Sequence, residues 1–184
     1  DVRGEELNGV LRMCLDGDGV LWLVRSEDIR CAQVVYDAGG RASVGEWERM
    51  PLPDGVVFTR YDGDRTIFFT DRNGMLFRFD TGQRRAFPIF DLREELGRRG
   101  ALSSVISDKD DYVLAFGMSG VLRLRSTDPI EGRYELQEID VNCGVFALLK
   151  DCNQDIVWIG TDGSGRRSGR SRSVRSPTKR CPTC

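Results

Sequence analysis

The sequence predicts an all-β chain, a β-propeller fragment of about three and a half four-stranded blades. Three observations predict it. An order of segments recurs about every 45 residues, the segments are short apolar runs, and polar turns led by Asp or containing Gly separate them. The four copies lie at residues 10–24, 56–79, 102–124 and 145–165. Their turn aspartates Asp16, Asp62, Asp108 and Asp151 are spaced by 46, 46 and 43 residues. Trp22, Phe68, Leu114 and Trp158 repeat at 46, 46 and 44. A small sheet cannot bury both faces alone, and stacking such sheets around an axis does so.

Each copy reads as an antiparallel meander of strands A to D, with blades near 7–50, 55–89, 102–140 and, incomplete, 144–165. In the third, strand A is expected at 102–107, B at 112–116, C at 120–126 and D at 133–139. Alternation along Val121-Leu122-Arg123-Leu124-Arg125 marks a half-buried strand with Leu122 and Leu124 packed. In the second copy Phe77 and Phe79 stand 46 residues before Arg123 and Arg125, so both faces of that strand are expected to be covered. Gly74 and Gly120 take matching places in the B–C turns, where a positive φ favours Gly. Between the second and third copies, Asp91 with Glu94 three residues on has the spacing of a capping box and predicts a short helix over 91–96. Trp22, Phe68 and Trp158, recurring at blade period, are read as core between adjacent sheets.

Composition narrows the chemistry. Of 184 residues, 40 % are hydrophobic and 30 % charged, a globular balance, and there is no His. That removes the usual general base and the usual zinc nitrogen, so a hydrolase triad or a His-metal centre is excluded. The net charge of -2 conceals two populations. Residues 166–184 hold six Arg and one Lys with no acid, leaving 20 basic against 29 acidic side chains in the body. An acidic body is a poor platform for nucleic acid. Apolar runs are a few residues long, whereas a membrane helix needs about twenty, so no membrane span is expected in this chain.

No cofactor or metal is expected. Cys181 and Cys184 alone have ligand spacing, and one such pair is half a zinc site. The other cysteines sit in apolar segments and read as free thiols. Asp16-Gly17-Asp18-Gly19 opens like a calcium loop, but residues 20–24 are a strand, so a hairpin turn is expected. Gly160 to Gly165 lacks the Lys-Ser/Thr of a phosphate loop. Carboxylate pairs drawn from Glu46, Glu48, Asp71 and Asp162 leave glycoside hydrolysis or lyase chemistry as an alternative, although nothing isolates one pair.

The segment 142–165, with its Asp151 turn, Trp158-Ile159-Gly160-Thr161 and following Gly-containing turn, resembles the regulator-propeller repeats of Bacteroides-type hybrid two-component sensors. Asp16 to Leu23 resembles the same repeat, and the two middle copies match in pattern more than in letters. The resemblance implies a periplasmic ectodomain of an inner-membrane protein that senses oligosaccharides and signals to a histidine kinase outside this chain. The chain itself is then expected to bind and not to catalyse. A structural or protein-interaction propeller is the other alternative. On a propeller, B–C and D–A connections share one face, and loops on a rigid scaffold carry recognition. The residues expected to bind ligand there are Arg25, Glu27, Asp71, Arg72, Asn73, Met118 and Asp162, with Arg98 and Arg99 of the helical insert nearby.

The pattern fails after Gly165. The stretch 166–184 is rich in Arg and Ser with Val174 alone among them, and reads as a disordered or aberrant tail. Three and a half blades cannot close, so the remaining blades, or a second copy as in a homodimer, are the expected partners beside the oligosaccharide.

Overall fold

The computed structural model describes residues 7–52, 54–63, 65–141, 143–151, 153, 156–161 and 174–175. The chain is all-β, a β-propeller fragment built from antiparallel meander sheets. It divides into two compact units, Asp1–Glu94 and Glu95–Cys184.

The first unit holds two sheets. In one, β1 (Val10–Leu15), β2 (Val20–Arg25) and β3 (Asp28–Tyr36) follow in order, and the fourth position is divided. There β5 (Glu48–Pro51) pairs with Asp28–Cys31, and β4 (Ala42–Val44) pairs with Val34–Tyr36. The other sheet is a plain meander of β6 (Phe58–Tyr61), β7 (Thr66–Thr70), β8 (Met75–Asp80) and β9 (Arg85–Asp91). Their shared core joins Trp22, Val24, Ile29 and Cys31 to Ile67, Phe69 and Phe79. The Trp22 indole meets the Phe79 ring edge-on at 5.7 Å, while Phe69 and Phe77 stack at 4.9 Å. Each such side chain contributes about 2 kcal/mol by leaving water.

The second unit repeats the plan. A meander of β10 (Ser104–Asp108), β11 (Asp111–Ala115), β12 (Val121–Asp128) and β13 (Arg133–Ile139) is followed by β14 (Val145–Asp151), β15 (Ile156–Thr161) and β16 (Val174–Arg175). Ile106, Val113, Ala115 and Val121 pack on Val145 and Leu148. Strand β16 falls in the stretch assigned to the tail, and its two residues pair with Ile156 and Val157. The rest of 162–184 lies outside the described residues.

The short helix α1 (Arg93–Arg99) is longer than expected at its C-terminal end. Asp91 Oδ1 accepts the Arg93 N–H at 3.0 Å, which satisfies one of the helix's free donors, and the Arg93 guanidinium folds back onto the same carboxylate. Leu92 is fully buried just ahead of the helix.

One turn design recurs in the first unit. In Asp16–Val20, Asp37–Arg41 and Asp71–Met75 the first residue's carboxylate accepts the N–H groups of the third and fifth residues, at 2.8 to 3.0 Å. The fourth residue is a Gly at positive φ: Gly19 (77°), Gly40 (78°) and Gly74 (81°). Asp62–Thr66 closes with the same main-chain bond, but its fourth residue is Arg65, held at φ 54°.

The third meander departs from constant spacing. Its A–B hairpin pairs Ser107 with Tyr112, one residue tighter than Leu15 with Leu21 or Tyr61 with Ile67. Everything downstream therefore shifts by one. Val113, not Leu114, takes the place of Trp22 and Phe68. Arg123 takes that of Arg78, and Leu122 and Leu124 those of Phe77 and Phe79. Gly74 corresponds to Ser119 rather than to Gly120, because each donates its N–H to the first residue of its turn. Both faces of β8 are covered even so, with Leu76 and Phe79 buried on opposite sides. Trp158 departs from the expected core role. It stands on the face of β15 opposite Val157 and Ile159, the side turned away from β10–β13, and is 41 % exposed against 2 % for Trp22.

Candidate ligand-binding site

In the first unit the structure brings together Glu27 and Arg72. They lie in the B–C turns of the two adjoining sheets, and Arg72 Nη2 donates to Glu27 Oε1 at 2.6 Å. Both side chains are more than half exposed, so the pair presents planar donors and acceptors to solvent. The turns beneath are fixed. Val56 N–H donates to Ser26 O at 2.7 Å, Leu52 N–H to Glu27 O at 2.8 Å and Arg72 N–H to Asp54 O at 3.3 Å. The Arg72 guanidinium lies over Gly55, where an added Cβ would stand 2.9 Å from Nε. Asp54 and Gly55 were not singled out from the sequence, although an Asp-Gly pair between two apolar runs is a turn signal.

The neighbouring residues serve the scaffold. Asp71 is buried, and its Oδ1 is taken by the Asn73 and Met75 N–H groups, so Asp71 and Asn73 shape the turn that carries Arg72. Arg25 faces the buried Asp28, with Nε 3.7 Å from Oδ1. Arg30 and Arg49 complete that cluster, their Nε atoms 3.2 and 2.6 Å from Oδ2. At the opposite end of the strands, Arg65 bridges to Asp18 at 2.7 Å. Burial pushes the Asp16 carboxyl up, but the Trp22 indole N–H at 2.7 Å, the Val20 and Asp18 amides and the Arg65 charge outweigh it and hold Asp16 below its ordinary value.

In the second unit Met118 is exposed at the tip of the B–C turn Phe116–Gly120. Arg99 is 9 % exposed and spent on structure. It bonds Glu95 at 2.7 Å, Glu138 at 3.1 Å and the Ser119 carbonyl at 2.8 Å, which ties α1 to that turn. Arg98 joins the same Glu95 carboxylate at 2.8 Å. Burial pushes Glu95 up, and the two guanidiniums more than reverse this. Asp162 lies outside the described residues. Among the described residues, no group of three or more Cys, Asp or Glu is placed to hold a metal. Cys14, Cys31 and Cys143 are free thiols, and burial pushes Cys14 up to about 11.

Comparison with known proteins gives a likeness of fold. PorZ, described as an essential bacterial surface component of the type-IX secretion system of Porphyromonas gingivalis, matches 91 % of this chain with 22 % of its own, at 13 % identity and a TM-score of 0.50. The extracellular domain assigned to a hybrid two-component system of B. thetaiotaomicron matches 84 % of this chain with 25 % of its own, at 20 % identity and a TM-score of 0.42. The C-terminal WD40 domain of Sif2 matches 82 % with 42 %, at 14 % identity and a TM-score of 0.43. The chain thus spans about a quarter of the length of the first two. No protein-family profile matches the sequence, and neither does any curated protein. No helix among the described residues is long and apolar enough to cross a membrane.

Proposed function

We propose that this chain is part of an extracytoplasmic, ligand-sensing propeller of a two-component signalling protein, that it recognises an oligosaccharide, and that it performs no chemistry itself. The observation that carries the reading is the exposed Glu27–Arg72 pair, 2.6 Å apart on two turns fixed by main-chain hydrogen bonds. Sugar hydroxyls need donors and acceptors held in fixed directions, and a guanidinium beside a carboxylate supplies both. Rigid turns lower the ordering cost of binding. The resemblance of residues 142–165 to sensor repeats supports the signalling assignment and the periplasmic location. The kinase belongs to the parent protein.

The test is a carbohydrate array probed with the full chain, followed by titration calorimetry on any hit. Arg72→Ala is expected to weaken glycan binding at least tenfold with the unfolding midpoint unchanged. Absence of any bound glycan, or equal binding by the variant, refutes the reading and leaves an interaction propeller.

A further inference from the structure

Within the first unit, the connection from Leu52 to Val57 touches both of the turns that carry Glu27 and Arg72. Leu52 N–H donates to Glu27 O and Val56 N–H to Ser26 O on one side, while Asp54 O accepts the Arg72 N–H and Val57 N–H donates to Thr70 O on the other. The spacing of the two turns is therefore set by this one stretch of main chain. At its bend Gly55 has a φ of 69°, and its N–H closes the turn onto Leu52 O at 3.0 Å. The Arg72 guanidinium lies directly above. A Cβ at position 55 would stand 2.9 Å from Nε, 3.0 Å from Cζ and 3.2 Å from Nη2. Nη2 is the atom that bonds Glu27.

We propose that Gly55 is the positioning residue of the Glu27–Arg72 pair: its missing side chain leaves the bed on which the Arg72 guanidinium rests against Glu27, and any side chain there parts the two. Non-bonded heavy atoms sit comfortably at about 3.5 Å or more, so a Cβ pushes the guanidinium away by about 0.6 Å at its nearest atom. It cannot move towards Glu27, because the 2.6 Å contact is already at the short limit of an ion-paired hydrogen bond. The open direction is solvent, where the Arg72 side chain is already 62 % exposed. Relief is thus cheap for the fold and costly for the pair. Gly74 is the opposite case, since a Cβ there meets Arg93 main chain, which has no free end to swing. Gly40 supplies the control: at φ 78° it carries the same left-handed strain, and a Cβ on it meets nothing within 4 Å. The inference rests on the ligand-binding reading of the pair for its role in recognition, but not for the placement of Arg72.

The test compares Gly55→Ala with Gly40→Ala in the full chain. Both are expected to lower the urea midpoint by the same amount. The Arg72 side-chain Nε–Hε resonance, assigned by its loss in Arg72→Lys, reads the pair without any ligand. Glu27→Ala is expected to shift that resonance in the unaltered chain and in Gly40→Ala, and to leave it in place in Gly55→Ala, where the pair is already parted. For a glycan found on the array, Gly55→Ala is expected to weaken binding about tenfold, as Arg72→Ala does, and Gly40→Ala to leave it unchanged. A full response to Glu27→Ala in the Gly55→Ala background overturns the proposal. So does glycan binding that survives Gly55→Ala and is lost in Arg72→Ala, a result that leaves the sensor reading standing. If no glycan binds, the sensor reading alone fails, and the resonance still decides the role of Gly55. Should Gly55→Ala unfold, Gly55→Asn brings the same Cβ with less left-handed strain, and unfolding of both overturns the proposal.

Discussion

Gly40 and Gly74 hold the fourth place in turns with the same hydrogen bonds and nearly the same φ, 78° and 81°. They differ in what surrounds them. A Cβ on Gly40 meets nothing within 4 Å, whereas one on Gly74 stands 2.8 Å from Arg93 Cγ and 3.2 Å from Arg93 Cα and N. Gly40→Ala therefore bears the left-handed backbone strain alone, about 1 kcal/mol. Gly74→Ala bears the same strain plus a clash with main chain at the start of α1, which can yield only by displacing the helix. Forced overpacking of that kind adds about 1 to 3 kcal/mol. Gly19 is the intermediate case, since its Cβ would stand 3.2 Å from the flexible end of Gln33. Urea unfolding followed by dichroism measures all three against one reference, with constant slope m as the sign that the unfolded state is unchanged. The expected order of loss is Gly40→Ala, then Gly19→Ala, then Gly74→Ala, the last exceeding the first by at least about 1 kcal/mol. Equal losses at Gly40 and Gly74 would show that the start of α1 does not pack against the Gly74 turn.

Asp16 has a folded-state pKa below its ordinary value of 3.8, so its bonds stabilise fully above that pH and are lost as pH falls through the lowered value. Asp16→Asn is expected to flatten the acid limb of the stability profile below about pH 4, and an unchanged limb contradicts the assignment. Asp28→Ala leaves Arg25 and Arg30 crowded and largely buried, with a loss of about 2 kcal/mol in urea unfolding. Arg49→Ala is expected to lose less, because Arg49 is 61 % exposed and replaceable by water.

The sheets were legible because blade-length repetition and Asp-led turns are local signals. Strands B, C and D of the third copy lie within about two residues of their expected ends. The register within that copy was not legible. A hairpin shortened by one residue shows only in main-chain pairing, and Leu114 fits the 46-residue interval as well as Val113 fits the structure. Nor does the sequence indicate that Arg65 adopts the conformation Gly has elsewhere, or that the outer position of the first sheet is divided between β4 and β5. At the candidate site, loop position identified Glu27 and Arg72 as surface residues. It could not show that they meet, or that the Asp71 carboxylate is already taken up by its own turn.

The tight hairpin of the third meander bears on how such repeats diverge. Removing one residue from a turn rotates every downstream side chain to the opposite side of its sheet, which destroys a strand that is apolar on one side only. From Tyr112 to Phe116 every residue is apolar and buried, so β11 reads the same after the rotation. Strands buried on both sides are thus the places where a lineage can gain or lose single turn residues without a compensating change. Length variation among blades should accumulate ahead of such strands, and fixed-interval alignment of repeats should fail there first.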